Sequence, residues 1–427
     1  SAATAIGLRR ITDITNGDIH GTGATTPNSI KAGTAQTRVS SATAYLTPVE
    51  YSRSNLKVLT GWRGVRAIYG TKDPLAVTGA IIQQTTGSST VNLNGNKAVI
   101  LAMGAINTPG FLERSGVGDP AVMSPLGIQT KVNLPGVGRN LQDQTMDSIS
   151  AQPNNQFTGT GPSSHIAYPS IYNLFSNASD VRANLESMYD QYASKVVSQG
   201  GAVNADGVKA QWLLLTSLIW DKNVSVSELF VDHGYPQGGL GQDVWQLLVY
   251  SRGSVHIKAS SAFNNPKVNP GYFVSHDRWT RWLNRRLLTQ TGFTSQQLPI
   301  DMDITVASLR AGRKIYQTSP LKESLSQELV PGTDTIPSGT YYGLYSRWRN
   351  WVLSGFAPVA HQIGTAQMAP RELGGVVDER GRVYGISSGS LRCVDASTLP
   401  FQFSAHLSAT LYGMAERFSD LIKEDFA

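Results

Sequence analysis

The chain is short of three things, and each shortage closes a class of function. Cys393 is the only cysteine in 427 residues, so no intrachain disulfide can form. With no Cys or His cluster at ligand spacing, no metal site is written in the sequence either, and Cys393 reads as a small buried hydrophobe. Charged residues make up 15% of the chain, well below the usual value of about a quarter. The formal charge of +6 has no dominant basic run, its densest spots being Arg281 to Arg286 and Arg310 to Lys314. Such a diffuse surface argues against nucleic acid as a partner. No apolar stretch approaches the roughly 20 residues of a spanning helix. The opening residues SAATAIGLRR lack the apolar core of a signal peptide. The chain therefore reads as soluble, without a membrane partner. Two glycosylation acceptors, Asn177-Ala-Ser and Asn223-Val-Ser, point to a secreted protein or one on the secretory route.

What the chain does have is length for a deep core and for two or three domains, with 42 glycines and 40% hydrophobic residues. An α/β pattern starts at Ser41. It has a short helix at Ser41–Leu46, an apolar run from Leu56 to Thr60, a run from Val77 to Gln83, and a nearly continuous apolar strand within Lys97–Gly104. The following Asn107-Thr-Pro and Gly110 to Gly118 predict a tight turn and then a short helix, a place where a cofactor meets backbone. From Gln144 to about Gly343 the texture changes to polar linkers, a helical segment at Val181–Val197 and a strand from Gln246 to Ile257. Short strands return at Arg382–Tyr384 and Ser390–Asp395. A final helix keeps Leu407, Leu411, Met414, Phe418, Leu421 and Ile422 at helical spacing.

Six separated segments then carry a resemblance. They are Asn55-Leu-Lys-Val-Leu-Thr-Gly; Gly104-Ala-Ile-Asn-Thr-Pro with Ser115-Gly-Val-Gly; Gly138-Arg-Asn-Leu-Gln-Asp143; Ser251-Arg-Gly-Ser-Val-His-Ile257; His361-Gln-Ile-Gly-Thr-Ala-Gln-Met368; and Val394-Asp-Ala-Ser-Thr-Leu-Pro with His406. In this order they resemble the glucose-methanol-choline oxidoreductases, with a texture similar to fungal glucose oxidase and FAD glucose dehydrogenase. The resemblance implies an α/β, Rossmann-like FAD-binding domain over residues 38–140 and 386–427. It implies an α+β substrate-binding domain with an antiparallel sheet over residues 1–37 and 141–385. It also implies a flavoprotein that oxidises the CH–OH group of a small-molecule alcohol.

One departure is plain. The family opens with a strand, a G-x-G-x-x-G turn and a helix that hold the FAD pyrophosphate, and this sequence has no such fingerprint. Ile14 to His20 resembles a point well inside the family's chain, on the order of 180 residues in at a typical family length. The expectation is that an N-terminal fragment of the same precursor, present as a second chain, supplies the missing first unit.

Hydride transfer from an alcohol carbon to a flavin needs a base beside the hydroxyl, and neutral histidine has the right proton affinity. Of seven histidines, His361 precedes a Gly-Thr turn and His406 opens the final helix, each at the edge of an element. The resemblance matches both to the family's active-site pair. His406 is expected to be the base beside the flavin, and His361 to hold and polarise the substrate oxygen. His256 falls in an alternating strand and His20, His165, His233 and His276 in loops, which suits packing or surface roles. By the same matching, Gly64 and Val65 would meet the adenine, and Asp395 and Ala396 the pyrophosphate and ribityl chain. Leu407 and Ser408 would present backbone to the pyrimidine edge of the flavin, where the positive end of the final helix favours the anionic reduced ring.

Where sugar oxidisers of the family place Arg and Asn, this chain has Phe356-Ala-Pro-Val-Ala360, with Ala357 and Val359 at the matching positions. An apolar or secondary-metabolite substrate follows from that loss of sugar-binding groups. Three alternatives stand beside this reading: a secondary-metabolite cyclase with structural FAD, a catalytically silent family member, and a hydrolase. The last rests on Gly385-Ile-Ser-Ser-Gly389, which fits G-x-S-x-G with Asp395 and His406 following. The segment after it reads as a strand, though, and not as the helix that a nucleophile elbow requires.

Overall fold

In the computed structural model, which describes residues 1–14, 16–24, 30–31, 37–157, 165–273, 299–339 and 341–427, strand β1 (Gly21–Ala24) joins a sheet built mainly by the middle of the chain. An antiparallel meander follows, made of β2 (Trp62–Tyr69), β3 (Val77–Gln84) and β4 (Thr90–Asn94). Between them Ala42–Leu46 forms the expected helical turn. The run from Leu56 to Thr60 forms no strand; Val58 and Leu59 are exposed, and pairing begins only at Trp62.

Strand β5 (Val99–Leu101) leads into helix α1 (Gly104–Arg114), whose first residue has a left-handed backbone that glycine adopts without strain. Asn107-Thr-Pro therefore lies inside the helix, not in the expected turn. Pro109 has no N–H for the carbonyl four residues back, that of Ala105. The Thr365 hydroxyl donates to this carbonyl at 2.6 Å, which lets the helix run through the proline.

The large sheet is antiparallel throughout. Its strands include β6 (Thr145–Pro153) and β7 (His165–Tyr168). Helix α2 (Ala205–Thr216) comes next, then β8 (Ser227–His233) and β9 (Leu240–Gln246). Strand β10 (Gly253–His256) belongs to another, smaller sheet, and helix α3 (Pro299–Tyr316) precedes β11 (Leu325–Val330) and β12 (Ala357–Pro358). The order is β1-β7-β8-β9-β6-β11, with β12 paired to the start of β6. Successive residues alternate between the faces. Tyr168, Glu228 and Trp245 share one face, while Ala167, Leu229 and Val244 share the other. The second face packs against Met302, Val306 and Leu309 of α3. The first meets a cluster around Trp212 and Tyr250 that also takes in Ala178–Ser187 and Tyr189–Ser198, two helices where one was expected over Val181–Val197.

The expected strand from Gln246 to Ile257 is likewise two strands, in different sheets. Asp301, on the first turn of α3, accepts the backbone N–H groups of Tyr250 and Ser251, and Trp212 donates to the carbonyl of Tyr250. Side chains thus occupy the backbone groups that a continuous strand would have paired.

Strand β13 (Leu391–Cys393) runs parallel to β5, with Leu391 opposite Val99 and Cys393 opposite Leu101. Arg382–Tyr384 makes only isolated bridges. Cys393 is buried, as expected. Helix α4 (Ser408–Phe426) closes the chain and buries Phe418 and Leu421. The parallel pair β5–β13 with the helix that follows β5, and the separate antiparallel sheet with its packed helices, correspond to the α/β and α+β parts expected. Among the described residues no helix is long and apolar enough to cross a membrane. His276 and Arg281 to Arg286 lie outside the described residues.

Candidate active site

His361 is placed by strand pairing. Strand β12 pairs with Thr145 and Met146, the Val359 N–H donates to the Gln144 carbonyl at 3.0 Å, and Ile363 bridges Gln142. Between these pairings Ala360 takes a left-handed backbone (φ 67°), a strain of the kind found at functional sites. The turn sets His361 against Asp143 and Gln144. Its N–H donates to Asp143 Oδ1 at 2.8 Å, its ring Nδ1 lies 2.8 Å from Gln144 Oε1, and its carbonyl accepts from Gln402 at 2.8 Å. Asp143 Oδ2 also accepts from the Tyr272 hydroxyl at 2.7 Å and from Gln362 at 3.0 Å.

His406 sits just ahead of α4, at the end of a segment tied down by Ser404, whose hydroxyl donates to the Ser225 carbonyl at 2.6 Å. Its Nε2 lies 2.9 Å from Glu228 Oε1, and its ring meets Trp245 edge-on at 5.5 Å between centroids. The His361 ring is also 5.5 Å away. Glu228 is fully buried while the His406 side chain is 44% exposed, so the pair opens toward solvent on the histidine side.

The two imidazoles have opposite proton affinities. Burial, and then the neighbouring His406, push the His361 pKa below its ordinary value, so His361 is neutral at neutral pH. The hydrogen bond to Glu228 pushes the His406 pKa up. Burial drives the Glu228 carboxyl upward too, against the pull of His406. Both shifts favour retention of one proton by the Glu228–His406 pair.

The other expected site residues are distributed as follows. Gly64 lies within β2 against Phe111 and Met103, not after a turn, and Val65 occupies a bulge with its carbonyl accepting from Arg114 at 2.9 Å. Asp395 accepts from the Gly104 N–H at 3.0 Å, the Thr108 hydroxyl at 2.6 Å and the Ser397 N–H at 2.8 Å. Its carboxylate thereby joins the ends of β5 and β13, with Ala396 opening the turn that follows. Leu407 is buried and Ser408 exposed at the start of α4. Ala357 is paired to Met146. Val359 and Phe401 pack with the cluster that contains Trp245, whereas Phe356 packs in another cluster, edge-on to Tyr272 and Phe273.

The hydrolase reading fails on geometry. Gly385–Gly389 leads into β13 instead of a helix, and His406 is committed to Glu228, not to Asp395. Glu228 and Gln144 were absent from the candidates. Asp143, at the end of the Asn-Leu-Gln-Asp motif, was the signal that could have led to Gln144. An apolar cavity of about 510 Å³ lies on the opposite face of the large sheet, lined by Leu229, Val231 and Leu240, and does not reach the histidine pair.

Two GMC oxidoreductase models match residues 1–146 and 249–415. Glucose oxidase of Penicillium chrysogenum is 30% identical over 405 residues, which cover 94% of this chain and 60% of that protein. The chain thus spans about 60% of the length of the curated relatives it matches. An FAD-dependent oxidoreductase from Chaetomium thermophilum superposes with a TM-score of 0.83 at 25% identity, covering all of this chain and 71% of that one. A fungal aryl-alcohol oxidase superposes at 0.80 with 22% identity, covering all of this chain and 70% of that one, and shows the fold alone.

Proposed function

The chain belongs to the GMC oxidoreductase family, and from that premise we propose that it acts as an FAD-dependent oxidoreductase that oxidises an alcohol CH–OH group at the His361–His406 pair. The observation that carries this reading is the pair itself: two imidazole rings 5.5 Å apart, the pKa of His361 pushed down by burial and that of His406 pushed up by its bond to Glu228. In the proposed division of domains, residues 38–140 and 386–427 form the cofactor side and residues 1–37 and 141–385 the substrate side. The parallel pair falls in the first and the large sheet in the second.

The residues beside the pair suit a flavin. Helix α4 starts at Ser408 with no side chain capping its N-terminus, and Ser408 and Ala409 are exposed next to His406. Free N–H donors at the positive end of a helix match an anionic reduced ring. Leu407 and Ser408 would hold its pyrimidine edge, Asp395 and Ala396 the chain toward the pyrophosphate, and Gly64 and Val65 the adenine end. This donor set covers only part of FAD, since no G-x-G-x-x-G turn is present. A second chain as the source of that turn has no support among the relatives. When bound, FAD supplies the acceptor for the substrate hydride.

The chemistry left to this chain is proton handling. Neutral His361 accepts the hydroxyl proton, and the proton kept between Glu228 and His406 lets His406 donate a hydrogen bond to the developing alkoxide. This reverses the roles expected from sequence, because Glu228 makes His406 the poorer base. The apolar neighbours Val359, Phe401 and Trp245 suit an alcohol on an apolar or aromatic skeleton. A secretory route belongs to the same proposal, supported by the exposed acceptor Asn177.

Anaerobic mixing of the FAD-loaded protein with benzyl-type alcohols, lactols, glucose and xylose tests the reading. Bleaching of the flavin by the apolar alcohols, with weak response to both free sugars, is expected. A flavin that no alcohol bleaches would assign the site to acid-base cyclisation or to a silent scaffold.

A further inference from the structure

A histidine base needs more than neutrality, because its two ring nitrogens are distinct and only the one without hydrogen can accept a proton. At His361 the neighbour that decides between them is Gln144, which is fully buried on the approach to β6. Its amide nitrogen lies 2.8 Å from the backbone carbonyl of Leu247. A carbonyl only accepts hydrogen bonds, so the amide NH2 must face Leu247 and Oε1 must face His361. An amide oxygen also only accepts, and Oε1 lies 2.8 Å from His361 Nδ1. Nδ1 therefore carries the hydrogen, and Nε2 keeps the lone pair.

We propose that Gln144 is a positioning residue that locks His361 in the Nδ1–H tautomer, so that Nε2 is the atom that receives the substrate proton. The inference rests on His361 being the base. The chain Leu247 to Gln144 to His361 is buried from end to end before it reaches the ring. Flipping the amide would set two carbonyl oxygens against each other at Leu247, which resists the alternative arrangement. Asp143 completes the clamp by holding the His361 N–H, while its other oxygen is held by Tyr272 and Gln362.

Two variants separate this role from a merely structural one. Gln144→Met keeps the length and removes the acceptor; Gln144→Glu keeps an oxygen toward His361, gives up the NH2 that bonds Leu247, and adds charge beside the ring when ionised. The ionisable groups facing the His361 ring are Asp143 and Tyr272 on one side and His406, backed by Glu228, on the other. None of these is altered in either variant. Ring-nitrogen NMR of histidine-labelled protein reads the tautomer without turnover. The parent should show hydrogen on His361 Nδ1, Gln144→Met a mixture, and Gln144→Glu hydrogen on Nδ1 with a higher pKa.

In flavin reduction, Gln144→Met should lose about 10²-fold. Gln144→Glu should approach the parent rate at high pH, with its pH limb displaced upward. An unchanged tautomer in Gln144→Met, or an equal and pH-independent loss in both variants, overturns the proposal. Should His361→Ala itself reduce flavin at the parent rate, the base assignment fails, while the NMR result still decides whether Gln144 sets the tautomer.

Discussion

The Thr365 hydroxyl donates at 2.6 Å to the carbonyl of Ala105, the carbonyl that Pro109 leaves without its helical N–H. This one bond ties the segment carrying His361 to the helix that follows strand β5. Thr365→Val should destabilise the fold by about 1–3 kcal/mol, the usual cost of a stranded buried acceptor. Adding Pro109→Ala, which restores the N–H, should recover most of that loss. Urea denaturation of both single variants and the double variant measures the coupling, and simple additivity would contradict it.

The same contact shows where sequence reading stops. Strand β3, strand β5 and helix α4 were legible because each is a local run, and motifs singled out the two histidines whose rings the fold brings to 5.5 Å of each other. The start of α1 was not, since Pro109 reads as a breaker unless its compensating hydroxyl, more than 250 residues away, is known. The break between β9 and β10 was hidden for a similar reason: Asp301, about 50 residues on, takes the backbone N–H groups. Glu228 lies in no motif. Only the register that sets it opposite Trp245, and the folding of the His406 segment onto that strand, make it a site residue.

Asp147 offers a pH test of stability. Its carboxyl is buried on β6, its Oδ2 has no hydrogen-bond partner, and burial pushes its pKa up to about 7. A raised folded-state pKa means the contribution to stability is fully present below the ordinary value of 3.8 and is lost as the pH rises through about 7. Asp147→Asn should flatten this dependence and be the more stable protein above pH 7, by an amount on the order of a few kcal/mol. Denaturation curves between pH 5 and pH 8, a range that brackets this value, would refute the assignment if parent and variant ran parallel.

Glu228→Gln should lower the pKa of His406, whose upward shift comes first from the bond to Glu228. In the parent, the stability linked to this proton is present below 6.5 and fades as the pH passes the higher folded value. NMR titration of the His406 ring reads the change directly. An unmoved midpoint would mean that Glu228 does not hold the proton.

Expressed through a eukaryotic secretory route, the protein should carry its glycan mainly at Asn177, which is exposed at the start of a helix. Asn223 is half-buried with a left-handed backbone and a buried Oδ1. Asn177→Gln should remove most of the mass released by deglycosylation. Retention of that mass would place the glycan elsewhere.

The assignment of His361 as base and His406 as hydrogen-bond donor is tested most directly by the anaerobic rate of flavin reduction in His361→Ala and His406→Ala, measured across pH with a reactive alcohol. His361→Ala should lose about 10²-fold or more and its acidic pH limb with it. His406→Ala should lose less, bind substrate more weakly and keep the limb. A His361→Ala protein that reduces flavin at the parent rate, beside a His406→Ala protein that has lost the limb, would contradict the account.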